Sequence, residues 1–230
     1  MLHKLFLRAF LYALVVIPGL LPGQTNSARA AQSAPKPASQ QAMDALNKGQ
    51  ELLFEKHDVQ GSIMSFKKVV ELDPEYVHGY LLLGNAYMQA RQWADAHAAF
   101  EKASRLQPQN PTPLLGMGAA LNQQQDWSGA LKPLQQSLKL EEAAETHYEL
   151  ARSLMGLEKL QEAELHVRIC LEMNKKYALP HVLMGDIYVQ LYENVEAALA
   201  EYEQYLRLDP DGSSAASVKQ RVDALKKLGN

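Results

Sequence analysis

The sequence predicts an all-α chain of stacked helical hairpins closed by a C-terminal capping helix, and three observations lead there. Landmark residues recur at intervals of 34: Gly84 and Gly118, Trp93 and Trp127, Ala96 and Ala130, Pro74 and Pro108, Ala151 and Gly185. Within a period, apolar and small residues fall at helical spacing, as in Tyr80, Leu83, Gly84 and Tyr87, which share one face of an α-helix. The pairs Asp73-Pro74, Gln107-Pro108 and Asp209-Pro210 punctuate the chain, because proline lacks an N–H and pushes the residue before it out of the helical region. Repeats of this length are too small to bury an apolar face singly and do so against their neighbours.

The elements follow in chain order. His3, Lys4 and Arg8 precede an apolar run over residues 9–21, interrupted by Pro18 and Gly19, and then come Ala28-Arg29-Ala30. That order predicts a secretory signal peptide over residues 1–30, hence an exported protein, periplasmic or secreted. The run is shorter than the ~20 apolar residues a spanning helix needs, so no membrane span is expected in the mature chain, with an uncleaved anchor as the alternative. Cleavage after Ala30 would remove Lys4, Arg8 and Arg29 and no acidic residue, making the mature chain more acidic than its formal net charge of −3. Residues 31–41 hold Ala, Gln, Ser, Pro and one Lys, too little apolar bulk to offset the entropy of ordering, and read as a flexible leader.

Residues 42–210 hold five copies of the period, at about 42–76, 77–110, 111–143, 144–177 and 178–211. The second is the fullest: Tyr80-x-x-Leu83-Gly84-x-x-Tyr87, then Trp93, Ala96, Phe100, Ala103 and Pro108. The third keeps Leu114, Gly118, Trp127, Ala130 and Leu134 but has Glu142 in place of proline. The fourth keeps Leu150, Ala151, Leu154, Ala163 and Val167, with Cys170 where the second has Ala103. The first (Gly49, Phe66, Pro74) and the fifth (Gly185, Tyr188, Ala198, Tyr202, Pro210) each carry one extra residue between their halves. Small Gly84 and Ala96 let two helices approach closely while Tyr87 and Phe100 fill the adjoining space. Residues 212–230 form the cap: Ser213 or Ser214 starts a helix, Ala215, Val218, Val222 and Leu225 make one apolar stripe, Lys219, Arg221, Asp223 and Lys226 point elsewhere, and Gly229 ends it.

The pattern of the second copy closely resembles the tetratricopeptide repeat. The resemblance implies a right-handed α-solenoid whose first helices line a concave surface that receives a partner peptide or helix. Turning one residue from the core stripe of each first helix, a rotation of ~100°, gives the candidate groove. Its residues are Leu81, Asn85 and Met88; Leu115, Ala119 and Asn122; Tyr148, Arg152 and Met155; and Val182, Asp186 and Val189. Such a mixture suits an apolar segment whose backbone is met by amide hydrogen bonds. The same residues serve equally as packing between copies, and at this point both readings stand. Family members that clamp a C-terminal carboxylate use lysines on this face, and Leu81, Leu115 and Tyr148 stand where a positive residue is wanted.

Other functions find less support. Lys plus Arg number 23 against 26 Asp plus Glu, so no positive field draws the chain to nucleic acid. One cysteine, Cys170, excludes an intramolecular disulfide and a cysteine-based zinc site, and its place in a small-residue slot reads as a buried small hydrophobe. Gly116-x-Gly118 follows no strand and is no dinucleotide fingerprint. His57, His78, His97, His147, His166 and His181 form no helical metal-ligand pair; His147 and His181, 34 apart, are placed to stack between neighbouring copies. Pro133 falls inside a helix and is expected to kink it. The expectation is a non-enzymatic protein-binding scaffold of the cell envelope, with no catalytic residue, metal or cofactor and a protein partner. A self-assembling homo-oligomer is the alternative, and an enzyme the third reading.

Overall fold

The computed structural model describes residues 39–228, so the expected signal peptide, most of the leader and the Gly229 stop lie outside the described residues. Eleven helices and no strand occur among the described residues. They are α1 (Gln40–Gln50), α2 (Val59–Leu72), α3 (Val77–Gln89), α4 (Trp93–Leu106), α5 (Pro111–Gln123), α6 (Trp127–Leu140), α7 (Ala144–Gly156), α8 (Leu160–Met173), α9 (Leu179–Tyr192), α10 (Val195–Leu208) and α11 (Ala215–Leu228). The fold class is the all-α repeat class of the α-solenoids. α1 starts two residues inside the stretch assigned to the leader, because the Ser39 hydroxyl accepts the Ala42 N–H and caps it.

Each pair of helices is joined through one residue in the left-handed region: His57, Arg91, Gln125, Glu158 and Glu193, with φ from 49° to 62°. None is glycine, so each turn holds a conformation that costs an ordinary L-residue about 1–2 kcal/mol. The turn closes with Gln92 N–H donating to the Tyr87 carbonyl and Lys159 N–H to that of Leu154, each at 2.9 Å. The longer first and fifth copies close rings one residue larger, Asp58 N–H to Leu52 at 2.7 Å and Asn194 N–H to Tyr188 at 2.9 Å. In the first copy the extra residue is absorbed in a π-helical turn, Glu51–Glu55. Asp58, Asp126 and Asn194 then cap the second helices by accepting the N–H groups of Gly61, Gly129 and Ala197.

The prolines end helices as expected: α2, α4 and α10 stop at Leu72, Leu106 and Leu208, one residue before each X-Pro pair. α6 and α8 stop at equivalent positions, Leu140 and Met173, with no proline there. Pro133 is buried within α6, which continues through it.

The chain divides into two compact units at Gln124/Gln125. In the N-terminal unit α1 to α5 pack in sequence order, and α3 also packs beside α5. Phe100 is fully buried, and a Cβ on Gly84 or on Gly116 would lie 2.7 Å from its ring. One aromatic side chain thus seats on two helices, α3 of its own hairpin and α5 of the next, only because both offer glycine there. Gly49 meets Phe66 in the same way, at 2.6 Å. The outward residues of α1, Gln41, Asp44, Asn47 and Lys48, are polar and lie at its surface.

In the C-terminal unit α6 to α11 pack in order, and α7 also packs beside α9. Gly185 faces the ring of Tyr202 and Gly156 that of Trp127. Ala151, Ala163, Val167 and Cys170 are fully buried, and burial pushes the Cys170 thiol up to about 12, which keeps it an unreactive small apolar group. α11 buries the expected stripe, Ala215, Val218, Val222 and Leu225, together with Tyr202 and Tyr205 of α10. Lys219, Asp223 and Lys226 are exposed, as a solvating cap requires.

A Gly84→Val substitution drives methyl groups into Phe100, and its expected cost is about 2 kcal/mol in urea unfolding. Arg91→Gly, at the left-handed turn of the same hairpin, is expected to be neutral or stabilising by about 0.5 kcal/mol. Equal losses for the two would refute this account of the hairpin.

Candidate functional site

The candidate groove sits on first helices that differ in how completely they are covered. α3 carries Val77 and Leu81 to Met88 at buried positions, so it is covered almost all round. Leu81, Asn85 and Met88 therefore lie within packing, as do Ala119 and Asn122 of α5 and Tyr148 of α7. Leu115, Arg152, Met155, Val182, Asp186 and Val189 remain partly exposed. Turning one position off the core stripe does not leave the core where an adjacent first helix packs alongside, as α5 does for α3 and α9 for α7. Among the buried members Asn85 stands out, because its Oδ1 has no hydrogen-bond partner. A buried acceptor without a donor costs free energy until an N–H reaches it.

The polar members in the C-terminal unit already have partners. Arg152 Nη1 donates to both oxygens of Glu149, at 3.1 and 3.0 Å, and its guanidinium lies 5.8 Å from the Tyr148 ring centroid. Burial opposes the Arg152 charge, but the adjoining Glu149 carboxylate more than restores it and holds the pKa above the usual arginine value. Tyr148 in turn packs at 5.3 Å against Tyr177, and burial raises both phenols well above their ordinary range. Asp186 is bound twice. Arg221 of the cap donates to its two oxygens at 2.5 and 2.7 Å, and the Tyr202 hydroxyl donates at 2.6 Å. Val182 and Val189 pack against the cluster that contains the buried stripe of α11. The cap thus engages the fifth copy's share of the predicted groove, and Arg221 does not point away as the sequence suggested.

The histidines are arranged differently from the expectation as well. His147 does not stack on His181. It meets His166 of α8, Nδ1 to Nδ1 at 2.8 Å, with ring centroids 5.0 Å apart. His181 Nδ1 pairs with Glu201 at 2.6 Å. Among the described residues no cluster of three or more His, Cys, Asp or Glu is placed to hold a metal ion. A pocket of about 350 Å³ opens between α6, α7 and α8, with Leu131, Leu138, Leu150 and Leu154 as its apolar wall and Lys139, Lys159, Glu162 and His166 at its polar edge.

Sequence reasoning missed Glu149 and Tyr177, and it named His166 and Arg221 without finding their partners. The i,i+3 spacing of Glu149 and Arg152 is a legible signal for a pair on one helix face. Arg221 and Asp186 stand 35 residues apart, and no local pattern joins them.

These paired helices, with a small residue at each closest approach, define a helical-hairpin repeat of the α-solenoid class. The tetratricopeptide repeat model matches residues 81–146 and 148–213, and the chain belongs to that family. A comparison with curated protein sequences gives no match. Solved structures share the fold at low identity. MamA (residues 41 to the end) from Desulfovibrio magneticus RS-1 is 17% identical, with 76% of this chain and 99% of that one covered and a TM-score of 0.65. TTC0263, a thermophilic TPR protein of Thermus thermophilus, is 13% identical over 80% and 98%, with a TM-score of 0.65. YrrB, described as a TPR protein with an unusual peptide-binding site, is 23% identical over 86% and 98%, with a TM-score of 0.56.

Arg221→Ala removes two charge-assisted hydrogen bonds from a partly exposed pair, and its expected cost is about 1 kcal/mol. Hydrogen exchange is expected to show the loss mainly in α11. Unchanged protection of α11 would show that apolar burial alone holds the cap.

Proposed function

We propose that this protein is a non-enzymatic scaffold that holds a segment of a partner protein along the first helices of its repeats. The observation that carries this is that apolar side chains on first helices stay partly exposed within each unit taken by itself, Leu115 in the N-terminal one and Met155 in the C-terminal one. Leu115 and Met155 leave part of their apolar surface open, whereas Val182 and Val189 also pack against the cluster of the cap. Preformed helices lose little entropy when a segment docks on them, so modest apolar burial gives useful affinity. The peptide-binding description of YrrB, a structural neighbour, accords with this reading. The basic-then-apolar N-terminal sequence ending in Ala28-Arg29-Ala30 supports export, and with it a partner in the cell envelope.

Crosslinking in the native envelope, followed by capture with the full chain, tests the proposal. Leu115→Arg and Met155→Arg each place a charge at a partly exposed apolar position of a first helix, and each is expected to weaken capture at least ten-fold, about 1.4 kcal/mol, with the helical circular dichroism unchanged. Undiminished capture by both variants, or concentration-dependent self-association by light scattering that both variants leave intact, would replace the scaffold with the self-assembling reading.

A further inference from the structure

We propose that His147 and His166 form a proton-operated joint between α7 and α8. The two rings come from different helices, 19 residues apart, and meet Nδ1 to Nδ1 at 2.8 Å. At that separation one nitrogen must donate and the other accept. The neighbours decide which. His147 Nε2 is buried and faces Glu142 Oε1 at 3.5 Å, so its proton belongs on Nε2, and its bare Nδ1 accepts from the Nδ1–H of His166. His166 then keeps a bare Nε2, and its ring lines the open pocket between α6, α7 and α8.

Protons therefore arrive in order. The first goes to His166 Nε2 and leaves the hydrogen bond intact. The second can enter only at His147 Nδ1, where it sets two N–H groups against each other between two cationic rings, and the helices must part. Burial, the largest cause at each, holds both imidazoles below their ordinary value. The unfolded chain thus binds protons before the folded one, so stability is full above roughly pH 6.5 and is lost as the pH falls below it.

The charged surroundings temper this without removing it. Glu142 ahead of α7 and Glu162 on α8 favour the charged imidazoles, and Lys139 of α6 and Lys159 of the α7–α8 turn stand with His166 around the pocket, Lys159 paired to Glu162 at 3.3 Å. α9 packs on both helices, but its ionisable groups are engaged elsewhere: His181 with Glu201, Asp186 with Arg221, Tyr188 with Arg168 and Tyr192 with Glu164. α7 also carries Tyr148, Arg152 and Met155, so opening the joint would deform that stretch of the stripe. That last consequence rests on the binding reading above; the joint itself does not.

Hydrogen exchange of the full chain, followed from about pH 8 to about pH 5 and corrected for intrinsic rates, tests the joint with no partner present. Exchange in α7 and α8 is expected to rise about ten-fold relative to α3 and α4 as the pH falls. His166→Asn places an amide donor where Nδ1 stood, and is expected to hold that protection flat. Equal protection of α7, α8, α3 and α4 across the range, or the same pH dependence in the variant, overturns the proposal. Should the variant not fold, imidazole NMR of the unaltered chain decides. Two coupled steps at His147 and His166 below the ordinary histidine value support the joint, and two independent steps at that value refute it.

Discussion

Everything else in the fold depends on how near two helices can come. In each unit glycines of first helices face aromatic rings of the neighbouring helix. Phe100 has no room for a Cβ at Gly84 or Gly116, and Tyr202 none at Gly185. Because Phe100 is gripped by α3 and α5 at once, the contact that closes one hairpin also joins it to the next. A helical hairpin of this size is marginal alone, and such shared contacts make neighbouring repeats stable together.

The same constraint explains the tolerance of the connections. Proline follows α2, α4 and α10 but not α6 or α8, and all five helices end at equivalent points. Left-handed Arg91, Gln125, Glu158 and Glu193 occupy turns where glycine would be unstrained. Packing sets where each helix stops, and the turn conforms. The extra residues of the first and fifth copies follow the same rule, since they enlarge the ring that closes the turn and leave the helix faces in register.

Polar chemistry is concentrated in the C-terminal unit. Glu149 and Arg152 are held together under Tyr148 and Tyr177, Asp186 is spanned by Arg221 and Tyr202, and His147 and His166 share a proton between α7 and α8. These groups stand in the most worn copy and beside the cap, where apolar repeat residues have been replaced. The charges of Arg152 and Asp186 are tolerated there because each is paired; removing one partner leaves the other stranded. The N-terminal unit, with fuller repeats, is more uniformly apolar, and the unmet acceptor Asn85 Oδ1 is its energetic weak point.

Period and apolar spacing were enough to determine from sequence the helix pairs, the small-residue slots, the burial of Cys170 and the apolar stripe on α11. These are local or periodic properties: a residue's face follows from its position in a helix, and a helix end from its cap. Tertiary structure alone decided which members of the predicted groove stay open to solvent. Leu81 and Leu115 occupy the same repeat position, yet one is buried and the other partly exposed, because burial depends on what packs alongside. Tertiary structure also chose His166 over His181 as the partner of His147, and Arg221 for Asp186. Such pairings join residues far apart in the chain, and hydrogen bonds depend on distances of a few tenths of an ångström that no spacing along a sequence encodes.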